Sequence, residues 1–346
     1  MSSIIKAMTD MEAIKIKGHL TYITFGTILI LWHFLFSVNL YVYASDVPYI
    51  AFSSNRDGDY DIYIMDIKGK NLQNLTNSPT HEFKPAFSPD GQRMAYVSSR
   101  HDGYSEIYVM NLRTKVSYRL THHPRHDNNP AWSPDGRWIA FDSNREATYH
   151  IYKIQPDGKN LQQLTHGVVD RNYNAAWSPD SRSIAFASSR EVPGIYIMDA
   201  DGGNPRRLPN QPQRGHMPSW SPDGKQIAFS DRMLGGHRDP LLGGGQDIYT
   251  LNVDGSQLRR RTRHPSMDIF PDWSPDGRSI VYYSRWNQKY DIYLIEGGLG
   301  RHGGRLTRHP ADDKYPTWMP AGSLPVSPAA ETQTTLWGRL KQSVQD

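Results

Sequence analysis

The pentapeptide Phe87-Ser88-Pro89-Asp90-Gly91 recurs along the chain and decides its fold. Further copies begin at Trp132, Trp177, Trp220 and Trp273, and a degenerate copy begins at Trp318. The aromatic residues that open the copies are 45, 45, 43, 53 and 45 residues apart. Ser, Pro and Gly stand at the first, second and fourth positions of a type I turn, where each is preferred. An aromatic residue followed by such a turn at a nearly constant spacing predicts a repeat protein.

Two shorter motifs alternate with the turn motif. The dipeptide Ile-Tyr begins at Ile62, Ile107, Ile151, Ile195, Ile248 and Ile292. The dipeptide Leu-Thr begins at Leu75, Leu120, Leu164 and Leu306, with degenerate forms at Leu208-Pro209 and Arg261-Thr262. Each unit therefore holds four short apolar runs separated by turns, which is typical of one blade of a β-propeller.

The first complete unit predicts four strands, named a to d, at residues 84–88, 93–98, 106–110 and 117–121. The chain contains six a strands and six sets of b, c and d strands. The first set begins at Tyr49 without an a strand before it, and the last a strand has no set after it. We therefore expect an all-β fold, a six-bladed β-propeller of four-stranded antiparallel blades. Pairing of the C-terminal strand with the three N-terminal strands would close the ring.

The N-terminal region differs from the repeats. Residues 20–42 carry no charge and are rich in Leu, Ile, Phe and Val, and Lys6, Lys15 and Lys17 precede them. A helix of this length spans about 30 Å of hydrocarbon, and the lysines predict that the chain after it is exported. Ala44 supplies the small residue that signal peptidase requires. The predicted regions are a cytoplasmic n-region at 1–18, a signal peptide or signal anchor helix at 19–44, the propeller at 45–320, and a linker with a short tail at 321–346.

Composition and missing motifs exclude several classes of function. The 346 residues include no cysteine, which rules out disulfides, thiolate metal sites and a cysteine nucleophile. The net charge is +4, and the densest basic run, at 259–264, lacks the stacking aromatic residues of a nucleic-acid interface. Hydrolase, zinc-protease and nucleotide-binding motifs are also missing. We predict no nucleic-acid partner, no catalytic residue, and membrane contact only through the N-terminal segment.

These motifs resemble the repeats of the TolB-type β-propeller family, whose signatures are Trp-Ser-Pro-Asp-Gly and Ile-Tyr-x-Met-Asp. The first is complete at Trp132 to Gly136, and Ile195-Tyr196-Ile197-Met198 matches the second. The resemblance covers residues 46–320 and implies a periplasmic propeller that binds proteins of the cell envelope over the mouth of its channel. The family's namesake also has a small α/β domain before its propeller. Only residues 45–48 lie between the apolar segment and the first strand, so we expect that domain to be missing.

Blade topology predicts which loops bind a ligand. The d–a and b–c loops share one face of an antiparallel blade, and they differ most among the six copies, as binding loops do. The insertion at 232–246 belongs to the same loops. Four of the six positions that stand three residues before the a-strand proline are acidic, and four carboxylates around one channel would attract a cation or a basic group. These six positions are Glu82, Asp127, Asn172, Gly215, Asp268 and Asp313.

Two other interpretations of these loops stay open. Each carboxylate could pair locally with an arginine at the end of a b strand, namely Arg56, Arg100, Arg145, Arg190, Arg232 or Arg285. Three histidines in the same loops could share a metal ion if they converge, as His81, His126 and His216. Such a site would resemble that of an oligogalacturonate lyase. Because histidine also recurs elsewhere in the loops after the d strands, we predict no metal and no cofactor.

The sequence favours an exported, non-enzymatic scaffold, located in the periplasm or outside the cell. It would bind an envelope or secreted protein, or another cell-envelope ligand, on the face at the channel mouth. The candidate binding residues are His81, Glu82, His126, Asp127, Asn172, His216, Asp268 and Asp313. The alternative is a metal-dependent carbohydrate-active enzyme that uses histidines and carboxylates at the same mouth.

Overall fold

The computed structural model describes residues 48–101, 103–212, 214–231, 245–263, 266–286, 288–297, 304–320 and 323. These residues form 24 β-strands in six sheets. The predicted signal segment at 19–44, the C-terminal tail beyond residue 323 and most of the insertion at 232–246 lie outside the described residues. Within the described part of the chain, no helix has the length and apolarity needed to cross a membrane.

Each sheet contains one strand of each type, a to d. The a strands are β4 (Glu82–Phe87), β8 (Asp127–Trp132), β12 (Asn172–Trp177), β16 (His216–Trp220), β20 (Met267–Trp273) and β24 (Asp313–Trp318). The b strands are β1 (Tyr49–Ser54), β5 (Arg93–Ser98), β9 (Ile139–Glu146), β13 (Ser183–Ser188), β17 (Gln226–Asp231) and β21 (Ser279–Trp286). The c strands are β2 (Asp61–Asp66), β6 (Glu106–Asn111), β10 (Thr148–Ile154), β14 (Gly194–Asp199), β18 (Asp247–Asn252) and β22 (Lys289–Glu296). The d strands are β3 (Gln73–Asn74), β7 (Ser117–Arg119), β11 (Gln162–Gln163), β15 (Arg206–Arg207), β19 (Arg259–Arg260) and β23 (Gly304–Arg305).

Ring closure joins the two ends of the described chain. The first blade has the strand order β24-β1-β2-β3, and the other five blades each use four consecutive strands. Antiparallel pairing of β24 with β1 places Ile50 opposite Trp318 and Ser54 opposite Asp313. The predicted six-bladed propeller, closed by its C-terminal strand, is confirmed.

The turn motif is stabilised by its own serine and aspartate. In the first copy, Ser88 Oγ donates to Asp90 at 2.5 Å and accepts from the backbone N–H of Arg93 at 2.9 Å. Gly91 closes the turn with a backbone bond of 2.8 Å to Ser88 at φ 63°. The third copy has Ser181 at this left-handed position, with φ 62°. The same serine contacts recur at Ser133, Ser178, Ser221 and Ser274.

The Leu-Thr and Ile-Tyr motifs are hydrogen-bonded to each other within a blade. Thr76 Oγ1 accepts from the backbone N–H of Ile62 at 3.0 Å, which ties the loop after strand d to strand c. The equivalent threonines are Thr121, Thr165, Thr262 and Thr307. In the fourth blade Pro209 stands at the threonine position, and Gln211 Oε1 accepts from Ile195 at 2.6 Å instead. Because Gln211 supplies the acceptor, the Leu-Thr motif can lose its threonine in this blade while the backbone N–H of strand c stays hydrogen-bonded.

The hydrophobic core lies between neighbouring blades. One cluster, for example, joins Ile62 and Ile64 of the first blade to Met94 and Tyr96 of the second. Within each blade, the tyrosine of Ile-Tyr pairs with an aromatic ring of strand b, with ring centroids 5.7–6.1 Å apart. In these clusters the aromatic pair of one blade packs against aliphatic residues of the blade before it, and burial of this apolar surface holds the blades in a ring.

Candidate functional site

Backbone hydrogen bonds place the d–a and b–c loops on one face, which we call the mouth face. The N–H of Glu82 donates to Tyr60 at 2.6 Å, and the N–H of Asp127 donates to Ser105 at 2.8 Å. In the fifth and sixth blades, the N–H of Asp268 donates to Gln246 at 2.8 Å. Each a strand therefore begins beside the b–c loop of the preceding blade.

The six positions that stand three residues before the a-strand proline lie at the starts of the a strands, and we call them the strand-start ring. Five of its members are at most 1% exposed: Glu82, Asp127, Asn172, Asp268 and Asp313. The sixth, Gly215, is also buried. Burial raises the pKa of Glu82 although Ser78, Arg100 and Ser98 oppose the shift. None of these side chains therefore presents an accessible carboxylate to the solvent.

Three members of the strand-start ring form ion pairs across their own blade. Glu82 pairs with Arg100, Asp127 with Arg145 and Asp313 with Arg56, each at 2.9 Å. Each arginine also lies over the aromatic pair of its blade, as Arg145 does at 4.6 Å from the Tyr152 centroid.

Serine replaces arginine as the partner at the other two positions. Asn172 accepts from Ser188 at 2.7 Å, and Asp268 accepts from Ser284 at 2.6 Å and from Ser266 at 2.8 Å. Contact of these residues with a ligand stays a prediction. Their burial and pairing favour the interpretation that they join strand a to strand b.

The three candidate histidines each bond to backbone of their own surroundings. His81 Nδ1 accepts from the N–H of Tyr60 at 3.2 Å, and His126 Nδ1 accepts from Ser105 at 3.1 Å. His216 Nδ1 lies 3.1 Å from the carbonyl oxygen of Arg214. Among the residues that the structure describes, no three His, Asp or Glu side chains are grouped to hold a metal ion.

A second ring lies two residues further along each a strand, and the sequence did not predict it. A β-bulge shifts the register of every a strand against its partner, β4 against β5 between Phe83 and Ala86 for instance. The bulged residue is left-handed in all six strands, with φ of 52–59°. We call these residues the left-handed ring: Lys84, Asn129, Asn174, Met217, Phe270 and Tyr315.

The bulge also corrects a predicted boundary. The sequence placed the first complete a strand at 84–88, whereas β4 spans Glu82–Phe87. A bulge breaks the alternation of inward and outward side chains, so the residues before it do not continue the apolar pattern. The strand therefore begins two residues earlier than its pattern indicates.

All six members of the left-handed ring line a central cavity of about 310 Å³. Lys84, Asn129 and Asn174, on three consecutive blades, form its polar half. Met217, Phe270 and Tyr315, on the other three blades, form its apolar half.

A buried carboxylate, Asp142 of β9, lies behind the polar half. Its Oδ1 accepts from Asn129 Nδ2 at 2.7 Å and from the N–H of Asn174 at 3.1 Å. Burial raises its pKa to about 6 against the opposing effect of Lys84 and these hydrogen bonds. Asp142 therefore orients two members of the ring.

Aromatic side chains continue from the apolar half to the mouth face. The Tyr315 ring lies 5.0 Å from Phe270 and 6.3 Å from Phe83, which lies 4.9 Å from Tyr60. Tyr283 and Tyr290, which belong to the same blade as Phe270, extend the group further. We call this group the aromatic cluster, consisting of Tyr60, Phe83, Phe270, Tyr283, Tyr290 and Tyr315. All but Tyr283 are partly exposed.

Lys314 bridges the two sides of the aromatic cluster. Its Nζ lies 4.3 Å from the Tyr290 centroid and 5.2 Å from the Tyr60 centroid. It also donates to Tyr60 Oη at 2.8 Å and pairs with Asp312 at 2.9 Å. Burial alone would lower the pKa of Lys314, but these two partners raise it. The cluster thus combines aromatic faces with one well-neutralised cation.

The sequence did not predict the left-handed ring or the aromatic cluster, because the predicted ring of binding residues depended on one residue type that the copies share. The left-handed position follows the strand-start position by two residues in every copy, yet its six side chains have no common chemistry. The sequence signal that could have indicated the ring is this variation of residue type at one fixed position of the a strand, the strand that lines the channel.

Comparison with known proteins places these features in a family context. Residues 41–191 match the family model described as the TolB beta propeller domain. A protein named TolB homolog from Chlorobium chlorochromatii is 41% identical over 49 residues, which are 14% of this chain and 11% of that relative. The matching segment is therefore a small part of both proteins.

Two solved structures share the fold. TolB from Acinetobacter baumannii superposes with a TM-score of 0.67 at 23% identity, covering 79% of this chain and 67% of that one. A putative TolB from Agrobacterium tumefaciens gives a TM-score of 0.59 at 24% identity, covering 76% and 89%. At this identity the two structures support the fold alone. Together with the matching family model, they confirm that the propeller of this chain resembles the TolB-type β-propeller repeat family.

Proposed function

We propose that this chain is an exported, non-enzymatic propeller that binds a protein or another cell-envelope ligand through its mouth face. The aromatic cluster is the observation that carries the proposal. Tyrosine and phenylalanine faces that stay partly exposed around a channel opening provide large contact area at low cost in side-chain entropy. The paired Lys314 adds polar contacts at the rim of the same surface.

A second apolar surface on the mouth face supports the same role. Val168 and Val169, in the d–a loop before β12, are 90% and 82% exposed. Val192, in the b–c loop of the same blade, is half exposed. Two adjacent and almost fully exposed valines suit a surface that a partner covers. We therefore extend the proposed binding surface from the aromatic cluster to the fourth blade.

The family resemblance supports a partner in the cell envelope. The apolar segment at 19–44 would supply the export signal or the membrane anchor, and the propeller would then act in the periplasm or outside the cell. No arrangement among the described residues favours the alternative of a metal-dependent lyase.

Affinity recovery with the full chain as bait tests the proposal. We expect envelope proteins recovered by the parent to be lost when Phe83 and Tyr290 are both changed to Ala. The matched control changes Leu72 and Tyr118 to Ala: Leu72 precedes the outer strand β3, Tyr118 lies on the outer strand β7, and the two are 43% and 42% exposed. Equal recovery by the parent and the Phe83/Tyr290 variant would overturn the mouth-face proposal, provided that both variants melt cooperatively.

A further inference from the structure

The left-handed ring shows a pattern of strain that its structural role does not require. A left-handed backbone is costly for most residues, whereas Gly and Asn adopt it readily. Asn129 and Asn174 fit that preference, but Lys84, Met217, Phe270 and Tyr315 do not. Costly residues held at equivalent positions around one cavity point to a role for their side chains.

Lys84 is the most informative member because its amine lacks a partner. Within the described part of the chain, its Nζ makes neither a hydrogen bond nor an ion pair within 4.0 Å. It lies 5.3 Å from the centroid of the Tyr315 ring. Burial lowers its pKa, and the more distant Asp142 only partly opposes this. A cation in this position is poorly solvated and would gain from an anion delivered by a ligand.

Other cations near the channel contrast with Lys84. Lys314 contacts a carboxylate and a phenol, and Arg56, Arg100 and Arg145 each contact a carboxylate. The chain therefore neutralises these cations internally and leaves the Lys84 amine without such a partner. The side-chain amide of Asn174 likewise makes no hydrogen bond to the described residues.

The opposite half of the ring indicates the rest of the ligand. Met217, Phe270 and Tyr315 face the same cavity, and Phe270 and Tyr315 meet edge to face at 81°. A cavity of about 310 Å³ lies at the small end of the range for ligand pockets, so it would take one compact group. An aromatic or branched aliphatic group would bury its surface there.

We propose that the left-handed ring binds a carboxylate carried on an aromatic or aliphatic body. The carboxylate would pair with Lys84 Nζ and accept from the Asn174 amide. The body would pack against Met217, Phe270 and Tyr315. This inference rests on the proposed function, because the left-handed ring lies two residues from the a-strand starts at the mouth face and so assigns a ligand chemistry to the mouth-side end of the central cavity. A small apolar acid and the C-terminal residue of a peptide both have this chemistry.

Ligand-observed NMR with the full chain tests the inference without any mutation. We use 3-phenylpropionate as the probe, with 3-phenylpropanamide lacking the charge and acetate lacking the body. For a probe of this size we expect a Kd in about the millimolar range. Each control compound should bind at least about tenfold more weakly. Equal binding of the acid and the amide would overturn the inference.

Variants of the left-handed ring test whether 3-phenylpropionate binds there. Lys84→Gln should remove the difference between the acid and the amide, while Lys225→Gln, an exposed lysine on the opposite face, should keep it. Phe270→Leu should weaken the acid severalfold and leave the acid–amide ratio unchanged. If Lys84→Gln keeps the full ratio, the acid binds elsewhere and the inference fails.

Peptides distinguish the two sources of the carboxylate. A tetrapeptide ending in a free phenylalanine carboxylate is compared with its C-terminal amide. Tighter binding of the free peptide than of 3-phenylpropionate assigns the site to peptide ends, and weaker binding assigns it to small acids. Loss of partner recovery in the Phe83/Tyr290 variant, with no acid binding by the parent, would overturn this inference alone and leave the proposed function standing.

Discussion

The strand-start ring and the left-handed ring lie two residues apart on the same six a strands, yet they differ in every physical respect. The first contains acidic residues or asparagine at five of its six positions, is fully buried, and is paired within its own blade at those five positions. The second has five residue types in six positions, lines the cavity, and leaves one cation without a partner. One ring repeats its chemistry and the other varies it.

This difference shows where a repeat protein keeps its structural and its binding residues. A side chain that joins strand a to strand b does the same task in each blade where it occurs, so its chemistry recurs with the repeat, here in five of the six blades. A ligand in the central channel contacts all six blades at once and has no sixfold symmetry of its own. Residues that bind it are therefore free to differ from blade to blade, as those of the left-handed ring do.

Breaking a buried pair in the strand-start ring should have the largest effect. We expect Asp127→Ala to lower the free energy of unfolding by about 3 kcal/mol or more, because Arg145 would keep its buried charge without a partner. Chemical denaturation measures this change. The control is Arg137→Ala, which breaks the ion pair between Arg137 and Asp135. The Arg137 side chain is 76% exposed, so this variant should change the free energy of unfolding by less than about 1 kcal/mol.

The same variant tests the assignment of the two rings. At a temperature where Asp127→Ala is fully folded, it should bind 3-phenylpropionate as the parent does. A folded variant that has lost the acid would show that the strand-start ring contacts the ligand, and the contrast between the rings would then be wrong.

Asp142 should destabilise the folded protein at neutral pH. Its folded pKa of about 6 exceeds the ordinary value of 3.8 because it is buried. Between these values the folded state keeps a proton that the unfolded state has released, so this group lowers stability as pH rises through that window. Well above pH 6 the full penalty applies, and Asp142→Asn should raise the free energy of unfolding by up to about 3 kcal/mol.

Paired denaturation curves at pH 4.5 and pH 7.5 measure this effect as a difference between Asp142→Asn and the parent. The gain should be largest at pH 7.5 and about a third as large at pH 4.5, where folded Asp142 keeps its proton but the unfolded chain has released most of it. A gain of equal size at both pH values would mean that the substitution acts through packing, and the charge of Asp142 would have no part in the cost.

Much of the fold followed from the sequence, whereas the geometry of the site did not. The turn motif, the Ile-Tyr motif and the Leu-Thr motif each make contacts within one blade, so their spacing predicted the blades, their number and the closing strand. The pairing of Glu82 with Arg100 was one of two interpretations that the sequence allowed, and burial decides between them only once the blade is folded. The bulge at Lys84 has no local signal, since lysine does not favour a left-handed backbone.

Lys84→Asn should have the smallest effect on the free energy of unfolding, and it gives the sharpest contrast between the rings because it should raise stability, whereas Asp127→Ala should lower it. Lys84→Asn places the residue type of Asn129 and Asn174 at a third left-handed position, which relieves about 1 kcal/mol or more of backbone strain. It also removes a poorly solvated amine, and it loses a contact with the Tyr315 ring worth about 0.5–1 kcal/mol. We expect a net gain of about 1 kcal/mol, measured at pH 5, where Asp142 is mostly protonated and contributes little to the comparison. A clear loss of stability would mean that Lys84 serves the fold, whereas a gain accompanied by loss of acid binding would mean that the chain keeps a strained cation for its ligand.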